Sequence, residues 1–227
     1  AKLDYEAIKI TYSGEMPPAT GNTYYVSSGS GSDSNPGTLS KPWRTIQKAA
    51  NTAVAGDVVY IRAGTYNESI LFQKFSGEPE KPITFQAYSG EKPVIAPTTW
   101  YGLNIKKNWI VIDGLTVRNA SNINIIIGGG NFVTVRNCEV SGSGMQGIYI
   151  AGQVAGETAN GNIISNNSIH DNKWEGVYIK AAVAGVTLTD NLVENNRIYN
   201  NGMEAIQNKF GDGGVPPKNT TIRGNII

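Results

Sequence analysis

Four hexapeptides, VRNCEV (Val135 to Val140), ISNNSI (Ile164 to Ile169), VENNRI (Val193 to Ile198) and IRGNII (Ile222 to Ile227), align without gaps, each 29 residues after the last. IDGLTV (Ile112 to Val117) fits 23 residues before the first of them. A second pattern recurs in step: GMQGIYIA (Gly144 to Ala151), KWEGVYIK (Lys173 to Lys180) and GMEAIQNK (Gly202 to Lys209). Each period holds two or three short runs of alternating apolar and polar residues, separated by Asn and Gly where the chain must turn. That is one coil of a solenoid. A leucine-rich repeat has a similar period, but its recurrent Leu framework is missing here. Strands stacked coil on coil make an all-β fold, a parallel β-helix, in which equivalent residues lie about 4.8 Å apart along the axis.

The column Leu115, Cys138, Asn167, Asn196, Asn225 is expected at a turn with its side chains inward. Stacked amides there can bond to one another and to the turn backbone, satisfying groups that would otherwise be buried unpaired. Cys138 then reads as a small core residue. As the sole cysteine of 227 residues it excludes an internal disulfide, and no Cys and His cluster has zinc spacing. With 19 basic and 18 acidic residues the net charge is +1, so nothing marks a nucleic-acid surface. Gly and Asn interrupt every apolar stretch before it could span a membrane.

The front of the chain differs. TIQKAANTAV (Thr45 to Val54) spaces Ile46, Ala49, Ala50 and Ala53 as a helix does, and a short amphipathic helix would cap the open end of the coils. GDVVYIRAGTY (Gly56 to Tyr66) and KPITFQAYSGEKPVI (Lys81 to Ile95) each read as strand, turn, strand. The chain divides into an extension at 1–22, a cap and first coil at 23–66, and coils over 67–227. The last coil ends in mid-strand without a polar cap, so further coils or another chain are expected to cover it.

Strand alternation after each turn puts Ile206 and Asn208 inward and Gln207 and Lys209 outward, with Tyr178 and Lys180, then Tyr149 and Ala151, in the preceding coils. The turn column before them reads Ile123, Gln146, Glu175, Glu204. Glu175 and Glu204, with Lys180 and Lys209 alongside, are expected as a charged patch on one outer face, and Tyr149 and Tyr178 as an aromatic pair that suits sugar rings. Such ladders also arise as plain solvated faces and cross-coil packing. His170, in NSIHDNKW, reads as a surface turn residue. GDGG (Gly211 to Gly214) reads as a flexible loop.

The run YYVSSGSGSDSNPGTLSKPWRTIQKAANTAVAGDVVYIRAGTY, followed by KPITFQAYSGEKPVI and NWIVIDGLTVRN, resembles the N-terminal region of secreted bacterial right-handed β-helix proteins. Among these are polysaccharide lyases acting on uronic-acid polymers: pectate lyases, alginate lyases and chondroitin B lyases. The resemblance implies an extracellular location and β-elimination on an acidic polysaccharide. In the alginate and chondroitin B lyases a Glu, one residue, a second Glu, four residues and a catalytic Lys form the site. GMEAIQNK keeps the second Glu as Glu204 and the Lys as Lys209, and has Gly202 for the first. The resemblance thus implies Glu204, with Glu175, as ligands of Ca²⁺, Lys209 as base and Lys180 as a contact for the substrate carboxylate. The family's partner arginine belongs on the next coil, where Arg223 is the candidate substrate contact. The alternative is a non-catalytic glycan-binding or surface-scaffold module.

Overall fold

In the computed structural model the described residues are 21–152, 154–181, 183–210 and 216–227. Their strands form three sheets. The first orders β1 (Thr23–Val26), β2 (Val58–Ile61), β5 (Ile83–Ala87), β8 (Ile110–Asp113), β11 (Thr134–Arg136), β14 (Ile163–Ser165), β17 (Leu192–Glu194) and β20 (Thr221–Arg223). The second orders β3 (Gly64–Tyr66), β6 (Pro93–Ile95), β9 (Thr116–Arg118), β12 (Glu139–Ser141), β15 (Ser168–His170) and β18 (Arg197–Tyr199). The third orders β4 (Ile70–Phe72), β7 (Tyr101–Ile105), β10 (Ile123–Gly128), β13 (Ile148–Gly152), β16 (Val177–Ala181) and β19 (Ile206–Phe210). The chain visits the sheets in turn, so each coil, such as β11-β12-β13, gives one strand to each.

The pairing is parallel and keeps the repeat's register: Val135 pairs with Ile164, Ile164 with Val193, and Val193 with Ile222. Inward columns from the three sheets fill the core. Ile112, Val135, Ile164 and Val193 come from the first, Val117, Val140, Ile169 and Ile198 from the second, and Ile125, Ile148 and Val177 from the third. Each is fully buried, and such burial stabilises by roughly 1.5 to 3 kcal/mol per side chain.

The corners explain the many asparagines. Between the first and second sheets Gly114, Asn137, Asn166, Asn195 and Gly224 all have φ between 54° and 71°, the left-handed region that Gly and Asn tolerate. The next residue of each coil turns inward and forms the expected ladder. Asn167 donates through Nδ2 to Asn196 Oδ1 at 2.9 Å, Asn196 does the same to Asn225 at 2.9 Å, and the Cys138 N–H donates to Asn167 Oδ1 at 2.9 Å. Two further ladders share the device. Asn172 donates to Asn201 Oδ1 at 2.9 Å at the second corner, and the Asn162 N–H donates to Asn191 Oδ1 at 3.0 Å at the third.

The capping helix α1 is shorter than expected, Ile46–Ala50, and Thr45 caps it by accepting from the Lys48 N–H at 3.1 Å. Glu68 accepts from the Ile46 and Gln47 N–H groups at 2.8 and 3.0 Å, answering two of the donors a helix start leaves open. Ile46, Ala49, Ala50 and Ala53 join Val26 and Trp43 in the core, which closes the front of the stack. The expected extension at 1–22, apart from Gly21 and Asn22, and the GDGG loop lie outside the described residues.

Candidate active site

β13, β16 and β19 place the expected residues on the outer face of the third sheet. Tyr149, Tyr178 and Gln207 pair across the three strands, as do Ala151, Lys180 and Lys209, while Ile148, Val177 and Ile206, one residue earlier, pair with one another and face the core. Gln146, Glu175 and Glu204 precede the strands in the same ladder, since the Gly147 N–H donates to Glu175 O and the Gly176 N–H to Glu204 O. A Cβ on Gly147 or Gly176 would meet Ile169 or Ile198 of the core, so the carboxylate column beside these glycines projects outward.

The structure corrects the expected patch in one respect. Glu204 is exposed, but Glu175 is only 5% exposed and its Oε2 accepts from Gln146 Nε2 at 3.0 Å. Glu204 Oε1 accepts from Gln207 Nε2 at 2.9 Å. Each carboxylate therefore has its own amide partner, Glu175 within the protein and Glu204 at the solvent-exposed end of the column. Tyr149 and Tyr178 stack with centroids 5.2 Å apart and an interplanar angle of 18°, and Lys180 Nζ lies 5.9 Å from the Tyr178 ring centre. The pair is less open than expected, because Tyr178 is only 8% exposed.

Burial pushes the Tyr149 hydroxyl up to about 12, with repulsion from Tyr178 and Glu175 adding to it. Tyr178 is also raised, by burial first. Lys209 pulls it back, while Glu175 and Glu204 push it further up. Both phenols are thus weaker acids than an ordinary tyrosine, and Lys209, Glu175 and Glu204 all act on the Tyr178 ring. Asn208, expected inward, is in register with the buried Ile179 but is exposed, because β19 is the last strand of its sheet.

Arg223 does not join this group. It sits on β20 of the first sheet, where Nε and Nη2 bond to Glu194 Oε2 at 2.8 and 2.7 Å. His170 is a strand residue of the second sheet rather than a turn residue. Its Nδ1 is 2.7 Å from Asp171 Oδ2, and its ring stacks on Tyr199 at 4.8 Å. Among the described residues no group of three or more His, Cys, Asp or Glu could hold a metal ion. Calcium takes about six to eight oxygens. Glu175 and Glu204, each engaged by an amide, do not by themselves make that donor set. Gln146 and Gln207, the amide partners, were visible in the repeat as column neighbours, but spacing does not say which side chains will bond.

Residues 24–173 match the family described as Pel9A-like, right handed beta helix region. The chain belongs to that family. Over 110 residues it is 41% identical to the uncharacterized protein YwoF of Bacillus subtilis, covering 45% of this chain and 23% of that one. Over 81 residues it is 37% identical to pectate lyase PEL9 of Emericella nidulans, covering 35% of this chain and 20% of that one. The crystal structure of pectate lyase Pel9A superposes with a TM-score of 0.67 at 18% identity, covering 89% of this chain and 62% of that one, a likeness of fold. The chain thus spans less than a quarter of the length of these two curated relatives, and its fold is one related to polysaccharide lyases.

Proposed function

We propose that this chain is part of a secreted polysaccharide lyase that cleaves an acidic, uronate-containing polymer by β-elimination, with pectate the first substrate to test. The observation that carries the reading is the register of Lys180 and Lys209 beside Tyr149 and Tyr178, on one outer face of the third sheet. Elimination needs a base for the C5 proton, a cation for the adjacent carboxylate and a proton donor for the leaving oxygen. Lys209 is the group placed to take the C5 proton. The C–H electrons form the C4–C5 double bond as the C4–O bond breaks. Tyr178, next to Lys209, is the group that can return a proton to the departing oxygen. The ammonium of Lys180 balances the uronate carboxylate. Glu204 and Glu175, in the column just before the strands, contribute to the local field of the site.

The test follows the ultraviolet absorbance of the unsaturated uronide product on polygalacturonate, alginate and dermatan sulfate, using the full-length protein. Added Ca²⁺ and a chelator are run in parallel, because the calcium requirement implied by the lyase resemblance belongs to this proposal. Lys209→Ala is expected to lower turnover by about a hundredfold or more with the melting temperature unchanged. Full turnover in that variant would remove Lys209 from the mechanism. No product on any polymer would favour the non-catalytic glycan-binding module.

A further inference from the structure

The outer face of the first sheet changes character along its length. From the fourth strand onward its outward column is charged or polar: Asp113 pairs with Arg136 at 2.8 Å, Ser165 follows, and Glu194 pairs with Arg223 at 2.7 Å. At the front it is aromatic. Tyr25 of β1 and Tyr60 of β2 are register partners, and Tyr88 lies two residues beyond Gln86, the partner of Tyr60 in β5, on the same face. The rings form a triangle, with centroids 5.5 Å apart for Tyr25 and Tyr60, 5.8 Å for Tyr60 and Tyr88, and 6.1 Å for Tyr25 and Tyr88. All three are half-buried, each keeping part of its surface open to solvent, and none of their hydroxyls has a hydrogen-bond partner among the described residues.

Arg62 holds the edge of this cluster. Its guanidinium lies 4.6 Å from the centre of the Tyr88 ring, and its Nε and Nη2 donate to Glu91 at 2.7 to 3.0 Å. Glu91 also accepts from the Ala63 N–H. The ion pair cancels the arginine's charge and fixes the ring beneath it. The result is a surface of aromatic rings, bordered by a paired arginine, whose hydroxyls have no partner among the described residues. A pyranose ring has the matching chemistry, with an apolar C–H face for the rings and hydroxyls around its edge for the phenols.

We propose that Tyr25, Tyr60 and Tyr88 form a second carbohydrate-binding site, a platform for pyranose units of a polysaccharide chain, separate from the lysine site on the third sheet. It lies on a different sheet and at the opposite end of the stack, on β1, β2 and the segment after β5 rather than on β13, β16 and β19. The platform is neutral, so it takes uncharged and uronate sugars alike. It rests on the polysaccharide reading above only for the choice of polymers to test.

The experiment is affinity electrophoresis of the full-length protein in gels containing polygalacturonate or an uncharged galactan. The uncharged gel isolates the platform, because lysines elsewhere attract polyuronate. The wild type is expected to be retarded in both gels. Tyr60→Ala should weaken retardation on galactan by about fivefold or more. A triple variant, Tyr25→Phe, Tyr60→Phe and Tyr88→Phe, keeps the packing and removes the hydroxyls, so it should weaken it by about twofold or more. Melting curves accompany both. No wild-type retardation on galactan, or equal retardation for wild type and both variants, overturns the proposal. Retardation lost in the variants of a protein that shows no elimination keeps the platform and sinks the lyase reading. Elimination without galactan retardation does the reverse.

Discussion

Asn196 shows how one side chain stabilises a solenoid corner. Its Oδ1 accepts from the Asn167 N–H and Nδ2 at 2.9 Å each, and its Nδ2 donates to Ile164 O and Asn225 Oδ1 at 2.9 Å each. A leucine there fills the volume but leaves the buried Asn167 groups and Ile164 carbonyl unpaired. Asn196→Leu is expected to lower stability by about 1 to 3 kcal/mol. Thermal denaturation reads it, and an unchanged melting temperature would contradict the ladder. This column was legible in the sequence because its members recur every 29 residues among apolar columns. The environment of Glu175 was not. It shares its column with Glu204, yet one is buried against Gln146 and the other exposed, and the repeat assigns both the same position.

Strands and corners follow from local chemistry wherever the repeat is regular. A Cβ on Gly176, at the entry to β16, would sit 2.5 Å from Ile198 Cγ2 and 2.7 Å from the Ala205 carbonyl oxygen. The next coil carries Ala205 in this column, half-buried beside β19, the last strand of its sheet. Gly176→Ala should therefore destabilise by about 1 to 3 kcal/mol through overpacking, measured as a shift in the urea midpoint at unchanged slope. Wild-type stability would show that the corner relaxes at no cost. Propensity fails at the third corner. Trp109 and Phe132 both adopt left-handed backbone, with φ of 57° and 56°, where Gly161, Asp190 and Asn219 stand in later coils. Bulky residues rarely take this conformation. Here the two rings stack 4.3 Å apart, a contact between coils that no local rule shows.

The whole molecule loses stability at alkaline pH through groups that burial raises, three of them strongly. Burial pushes Cys138 from the ordinary 9.0 to about 12, and pushes Tyr66 and Tyr149 from 10.0 to about 12. Above the ordinary values the unfolded chain has lost protons that the folded chain still holds. Stability is therefore fully present below about pH 9 and declines as pH rises toward 12. Urea unfolding from about pH 8 to about pH 11 should show this decline, and Cys138→Ala should flatten its first part. An equal slope in that variant would place the alkaline loss elsewhere. At this scale the split between chain and fold is clear. Periodicity decides the parallel coils, the inward columns and the asparagine ladder, because stacking at one fixed spacing turns each recurrence into a contact. Which outward residues meet is a property of the stacked coils. The burial of Glu175 and Tyr178, the placing of Arg223 on another sheet beside Glu194, and the gathering of Tyr25, Tyr60 and Tyr88 all depend on contacts between coils. Alternation along a strand says only that a side chain points away from the core, and the rest depends on what lies above it.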